Sequence, residues 1–202
     1  MSAAREYGLD EDYEWARPPA DGWTADDLDR LPNLPPHTEL IDGSLVFVSP
    51  QTRFHSRTLR LLENALLDQA PDGLDAIREM TVRLDRTNRP EPDVLVYRAD
   101  GDADAGPGQT WFRPEDVVLA VEVVSADSVE RDREAKPRKY AAAGIRHYWR
   151  VEEEKGLPVV YVYELDPATR AYVPNGVHRD RLKLTVPYDI DIDLTAIAPR
   201  GR

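Results

Sequence analysis

Glu122 interrupts an otherwise apolar run, Val117-Val118-Leu119-Ala120-Val121-Glu122-Val123-Val124. Such a near-continuous apolar stretch reads as a strand covered on both faces. Burying an ionised, unpaired carboxylate there costs on the order of several kcal/mol, so a cation, a metal ion or a closed hydrogen-bond network must compensate it. A single structural partner, or an edge strand with Glu122 turned to solvent, is the competing explanation. Asp93 is the second anomaly. It ends Arg89-Pro90-Glu91-Pro92-Asp93 directly before the apolar run Val94-Leu95-Val96-Tyr97. Pro92 cannot donate to a ladder and holds its neighbour extended, which suits a strand start and lets a carboxylate point toward the functional edge of a sheet. Pro-Asp is also an ordinary turn pair.

Lys136 is the third element, within Asp132-Arg133-Glu134-Ala135-Lys136-Pro137-Arg138-Lys139-Tyr140. On a regular helix Asp132, Lys136 and Tyr140 share one face; a surface ion pair is the plain alternative. Pro137 disfavours helical geometry at Lys136 and fits best in a first turn, so the regular helix is expected to begin there with Lys136 at its lip. Lys139 is the fallback for the same role. Two carboxylates and a lysine are what phosphodiester hydrolysis needs. Hard oxygen ligands suit Mg²⁺ or Mn²⁺, and Mg²⁺ usually takes one or two carboxylates. The metal polarises the phosphate and acidifies a bound water, while the ammonium steers that water and offsets developing charge.

These residues need elements to position them. Residues 1–20 are acidic, carry Pro18-Pro19 and show no clean period, so they read as an extension that docks loosely or is disordered. Residues 21–198 are read as one α/β domain. Thr24 is placed as the N-cap of a short helix, with Asp26 and Asp27 in its first turn and Pro32 as its stop. Residues 38–48 read as a hairpin about Asp42-Gly43. Leu59, Leu62 and Leu66 recur at helical spacing from Arg53 to about Ala70. Residues 76–84 alternate as one strand, with Met80, Val82 and Leu84 on a shared face. Residues 101–108 are a polar loop without a phosphate-cradling motif. A helix covers about 128–143 and stops at Gly144. Strands follow at 145–151, 159–164, 171–177 and 182–194, with turns at Asp166-Pro167 and Asn175-Gly176. They form a C-terminal β-meander.

Composition bounds the function. Apolar residues make up 41% of the 202, a globular share. There is no cysteine, so disulfides and thiolate metal sites are excluded. No apolar run approaches the ~18 residues of a membrane span, and the N-terminus lacks the apolar stretch of a signal peptide, so a cytoplasmic protein with no membrane association is expected. The net charge of −12 argues against a nucleic-acid partner. Its distribution softens that point: residues 1–30 hold nine acids and three bases, whereas residues 131–150 hold seven Lys or Arg and two acids.

Pro92-Asp93, Val121-Glu122-Val123-Val124-Ser125, Asp132…Lys136…Tyr140, Gly144-Ile145 and Tyr148-Trp149 together resemble the Uma-type endonucleases of bacteria, in the PD-(D/E)XK nuclease superfamily. The likeness begins near Trp23-Thr24 and runs through Glu39-Leu40-Ile41-Asp42-Gly43 and His55 to Val151. It implies a restriction-endonuclease-like fold, a mixed sheet flanked by helices, acting as an Mg²⁺- or Mn²⁺-dependent endodeoxyribonuclease. Asp93 and Glu122 become the metal ligands, and Glu39 an additional acid near the metal or a solvated strand residue. Val124 stands where the superfamily pattern has lysine. This resembles the variant in which the lysine migrates to the following helix, with Lys136 as candidate. His55 is a cap or an accessory phosphate contact; Arg131, Lys139 and Tyr140 are further candidates for substrate contact. DNA is the expected substrate and a homodimer the expected assembly. The rivals are a catalytically inactive module of the same fold, working by binding, and hydrolysis of another phosphoester.

Overall fold

The computed structural model describes residues 17–100 and 108–197. Most of the extension expected over 1–20 and of the loop expected over 101–108 therefore lies outside the described residues. The elements follow in chain order: β1 (Glu39–Ile41), β2 (Ser44–Val46), α1 (Arg53–Gln69), β3 (Leu74–Arg78), β4 (Thr81–Val82), β5 (Val94–Arg98), β6 (Trp111–Phe112) and β7 (Val117–Val123). After a π-helical turn at Arg131–Ala135 come α2 (Lys136–Ala143), β8 (His147–Glu154), β9 (Leu157–Asp166), β10 (Ala171–His178), β11 (Arg181–Leu184) and β12 (Ile190–Asp193).

One mixed six-stranded sheet organises the chain, in the order β10-β9-β8-β7-β5-β3. Only β7 and β8 within it run parallel, as the crossover through α2 requires. Side-chain alternation along β7 divides two cores. Leu119, Val121 and Val123 pack with α1, whose Leu59, Leu62 and Leu66 are buried, and with Leu182, Ile190 and Ile192 of the β11–β12 hairpin. Ala120 faces the other way, with Leu95, Tyr140 and Tyr148. Glu122 has the parity of Ala120. It therefore points to the side on which α2 lies.

The hairpin forms where Asp42-Gly43 predicts it. Both residues adopt positive φ (49° and 74°), as a two-residue turn of the type I′ kind requires. Its turn packs so closely on Gly22 that a Cβ there would stand 2.9 Å from the Gly43 carbonyl oxygen. Backbone bonds in both directions between Leu40 and Arg89 then fix β1 beside the segment leading to Asp93. The buried Arg89 grips Asp29 through both Nη atoms and Thr81 through Nε, tying the N-terminal turns to β4.

Four expectations are corrected. The helix placed at Thr24 is a series of turns: the Thr24 N–H and hydroxyl both donate to Asp27 Oδ2, closing one turn that is not continued. The strand read over 76–84 is two strands. Glu79, at φ 55°, swings the chain out of the six-stranded sheet, and β4 pairs in parallel with β6 in a sheet of its own. Asn175-Gly176 is no turn but a bulge inside β10, since Pro174 faces Tyr163 and Gly176 faces the next residue, Val162. Pro137 does not keep Lys136 out of helical geometry, since Lys136 lies at φ −61° and ψ −48°, although the regular helix does begin there, with Pro137 in its first turn. The helix reaches Pro137 through the π-turn, in which the Lys136 N–H bonds back to the Arg131 carbonyl. That widening accommodates a proline ring that would otherwise press on the preceding turn.

Candidate active site

The site gathers at the carboxyl end of β7, where open α/β sheets bind ligands. Val94 pairs with Val121, so one step further along the same antiparallel register sets Asp93 opposite Glu122. Side chains in that relation share a face, with Cβ atoms roughly 4.5–5.5 Å apart. The Val123 N–H donates to Asp93 Oδ2 at 2.6 Å and holds the carboxylate over the strand end. Two acids far apart in sequence are thereby brought together by strand pairing.

The π-turn and the first turn of α2 supply the cation. Lys136 Nζ lies 2.9 Å from Glu122 Oε2, 2.8 Å from Glu39 Oε1 and 3.5 Å from Asp132 Oδ1. The Tyr140 hydroxyl donates to the other Glu122 oxygen at 2.6 Å. Glu122, Asp132, Glu39 and Lys136 are 1%, 1%, 2% and 4% exposed. Solvent therefore screens none of these contacts appreciably. Glu39 arrives through β1, and the Glu91 N–H donates to its Oε1 at 2.8 Å.

Negative charge exceeds positive charge in this cluster. Burial pushes the Glu122 carboxyl well above its usual range; Lys136 opposes the shift, and Asp132, Asp93 and Glu39 add to it. Burial likewise raises Asp132. Burial alone would lower Lys136, but Glu122, Glu39, Asp132 and Asp93 outweigh it and hold the ammonium well above its usual value. Burial also raises the Tyr140 hydroxyl, which keeps it a proton donor to Glu122. Asp132 Oδ1 is buried without a hydrogen bond. An acid-rich cluster with one ammonium and an unsatisfied oxygen has room for a further cation.

A cleft of about 130 Å³ opens over the cluster and is lined by Asp93, Glu122, Asp132 and Lys136, with His55 and Arg131 at its walls. His55 is held at the first turn of α1, its N–H bonded to the Thr52 cap. Its Nε2 stands 3.0 Å from Asp93 Oδ1 but outside hydrogen-bond geometry, and its Nδ1 is buried without a partner. Arg131 Nε is also buried without a hydrogen bond. The structure does not bring Tyr140 or Lys139 to the cleft. Tyr140 is fully buried with its hydroxyl committed to Glu122, and Lys139 pairs with Asp42 of the hairpin turn.

Sequence reasoning left out Asp132 as a site residue, although its spacing of four from Lys136 placed both on one face. It also left out the Ser128 hydroxyl that bonds Asp132, and the rim pair in which His37 Nδ1 meets Glu91 Oε1 at 2.6 Å. A separation of 54 residues gives that last pair no local signal. Among the described residues, no group of three or more His, Asp or Glu side chains is arranged to hold a metal ion. Two carboxylates suffice for Mg²⁺, however, because waters and substrate oxygens usually complete its shell. The hard-oxygen donor set of Asp93 and Glu122 and the excess of acid fit such an ion.

Fold and cleft define an α/β protein of the restriction-endonuclease-like class. Residues 25–196 match the Uma2 family, described as "Putative restriction endonuclease", and the chain belongs to that family. Its fold is similar to that of a solved structure from Anabaena variabilis, "a putative nuclease belonging to DUF820". The two share 17% identity and a TM-score of 0.58 over 81% of this chain and 89% of the other. Among curated proteins, none matches the sequence significantly. No helix of the described residues is long and apolar enough to cross a membrane.

Proposed function

We propose that the cleft hydrolyses phosphodiester bonds of DNA with the help of Mg²⁺ or Mn²⁺, and that Asp93 and Glu122 together hold the ion. The register that sets Asp93 opposite Glu122, beneath an open cleft and with Lys136 Nζ 2.9 Å from Glu122, carries this reading. The bound ion supplies Lewis acidity at the scissile phosphate and a water of lowered pKa.

The chain's own residues do the rest. Lys136 orients the Glu122 carboxylate, and its longest contact, 3.5 Å to Asp132, is the one it exchanges to position the attacking water. The unbonded Asp132 Oδ1 accepts from that water. Tyr140 and the Glu91 N–H hold Glu122 and Glu39 in place from behind. Arg131, with an Nε free of hydrogen bonds at the wall, contacts the phosphate, and His55, its Nε2 3.0 Å from Asp93 Oδ1, adds an accessory phosphate contact beside it. Val124 needs no ammonium of its own, because Lys136 delivers one from the helix.

Purified chain incubated with duplex DNA, single-stranded DNA and RNA, each with Mg²⁺, with Mn²⁺ and with EDTA, tests the proposal. Cleavage of DNA that requires divalent metal is the expected result. One observation favours the rival binding-only module: both Glu122 oxygens are already engaged, by Lys136 and Tyr140. DNA binding without cleavage under every metal condition would establish that rival.

A further inference from the structure

Behind the π-turn and α2, on the side away from the cleft, lies a cavity of about 460 Å³. That is within the usual range for small-ligand pockets, about 300–1,000 Å³. Tyr163 and Tyr172 line it over the fully buried Tyr148, whose ring stacks on Tyr172 at 5.4 Å and lies 5.8 Å from Tyr163. Two of these rings are pinned by their hydroxyls: Tyr172 donates to the Ile145 carbonyl and Tyr148 to the Asp132 carbonyl. The aromatic wall is thus fixed before any ligand arrives.

Arginines rim this wall. Arg133 and Arg150 are occupied by Glu152, and Arg150 also lies over the Tyr161 and Tyr163 rings. Arg138 is three-quarters exposed, its Nε donating to the Glu134 carbonyl at 3.0 Å and one Nη 3.7 Å from the Glu134 carboxylate, and Arg170 is exposed, with one Nη donating to the Ala142 carbonyl. Four arginines and a single acid, Glu134, thus line a groove in a chain of net charge −12. An apolar ligand needs no such rim, and an inorganic anion needs no aromatic wall. Aromatic faces beside arginines are the chemistry that takes up single-stranded nucleic acid.

We propose that this groove is a second nucleic-acid contact, taking one nucleotide of a single strand with its base against Tyr163 and Tyr172 and its phosphate between Arg138 and Arg170. The choice of nucleic acid as occupant rests on the nuclease reading of the cleft. The π-turn joins the two sites. Arg131 and Asp132 line the cleft, whereas Arg133 and Glu134, the next two residues, line the groove. A strand leaving the cleft past Arg131 meets the groove within one turn of helix.

Fluorescence anisotropy of a labelled thymidine oligodeoxynucleotide, titrated with the full chain in EDTA, tests this. The parent chain is expected to bind. R138E/R170E is expected to bind at least about tenfold more weakly, with the slope of log K against log salt reduced by about 0.7 for each phosphate no longer neutralised. The control R179E/R181E, an equal charge change just beyond the far end of β10 and at the start of β11, is expected to stay within twofold of the parent. No binding by the parent, unaltered binding by R138E/R170E, or equal weakening in the control pair would overturn the groove. EDTA removes cleavage from the readout. A chain that binds through the groove but never cleaves DNA therefore overturns the nuclease reading alone, and one that cleaves while R138E/R170E binds normally overturns the groove alone.

Discussion

Glu122→Gln is expected to lower metal-dependent cleavage by about 10²- to 10³-fold while leaving the chain folded, and Asp93→Asn to do the same. That factor is the scale at which removing one preorganised electrostatic partner of a transition state acts. Glutamine keeps the shape of Glu122 and an oxygen for Lys136 or Tyr140 to donate to, but removes a charge from a cluster that holds an excess of acid. Lys136 still faces Glu39 and Asp132. Circular dichroism melts run beside a plasmid-cleavage time course separate the two effects. Activity lost with the fold retained supports a catalytic role for the acid; activity retained in Glu122→Gln removes Glu122 from the chemistry.

Lys136→Ala carries the largest expected effect on stability. The substitution leaves Glu39, Glu122 and Asp132 buried without their shared ammonium. Breaking a buried charge cluster in this way costs about 3–5 kcal/mol, or roughly 6–20 °C in Tm for a chain of this size. The loss depends on pH in a definite direction. Glu122 and Asp132 already bind protons more tightly in the fold than in the open chain. Their contribution to stability is therefore greatest below the ordinary carboxylate pKa of about 4 and falls as pH rises through their higher folded values. Removing Lys136 raises those values further. The deficit of Lys136→Ala should thus be larger at alkaline pH than at mildly acidic pH, as melts across a pH series would show. A deficit independent of pH would mean that packing of the lysine stem, not charge, accounts for the change.

Much of this site could be read from the sequence because burial and charge conflict there. A carboxylate in an apolar run announces itself whatever the fold, and Glu122 proved to be 1% exposed with a lysine and a tyrosine as partners. Asp93 was legible from Pro92 and the strand behind it, and Lys136 from its helical spacing to Asp132 and Tyr140. The Asp42-Gly43 turn, the Leu-bearing α1 and the apolar β7 followed from periodicity and turn chemistry.

What stayed hidden depends on tertiary contacts. The alternation of residues 76–84 is genuine, since Met80, Val82 and Leu84 do pack on one core, but no local pattern signals that Glu79 turns the chain into a second sheet. Its partner β6 is two residues long, too short to carry a period. Pro137 pointed to an irregularity without revealing its form: the helix absorbs the proline in a π-turn and so keeps Asp132 and Lys136 over the strand end. The spacing of Tyr140 suits a residue that faces substrate. Only the packing of α2 shows that it faces Glu122 instead.

Calorimetric titration of Mn²⁺ into the purified chain without nucleic acid tests the central claim most directly. One ion is expected to bind per chain, with affinity reduced at least about tenfold by Asp93→Asn and by Glu122→Gln separately, because each removes one of two carboxylate ligands. Absence of binding to the parent chain, or binding that survives both substitutions unchanged, would contradict it.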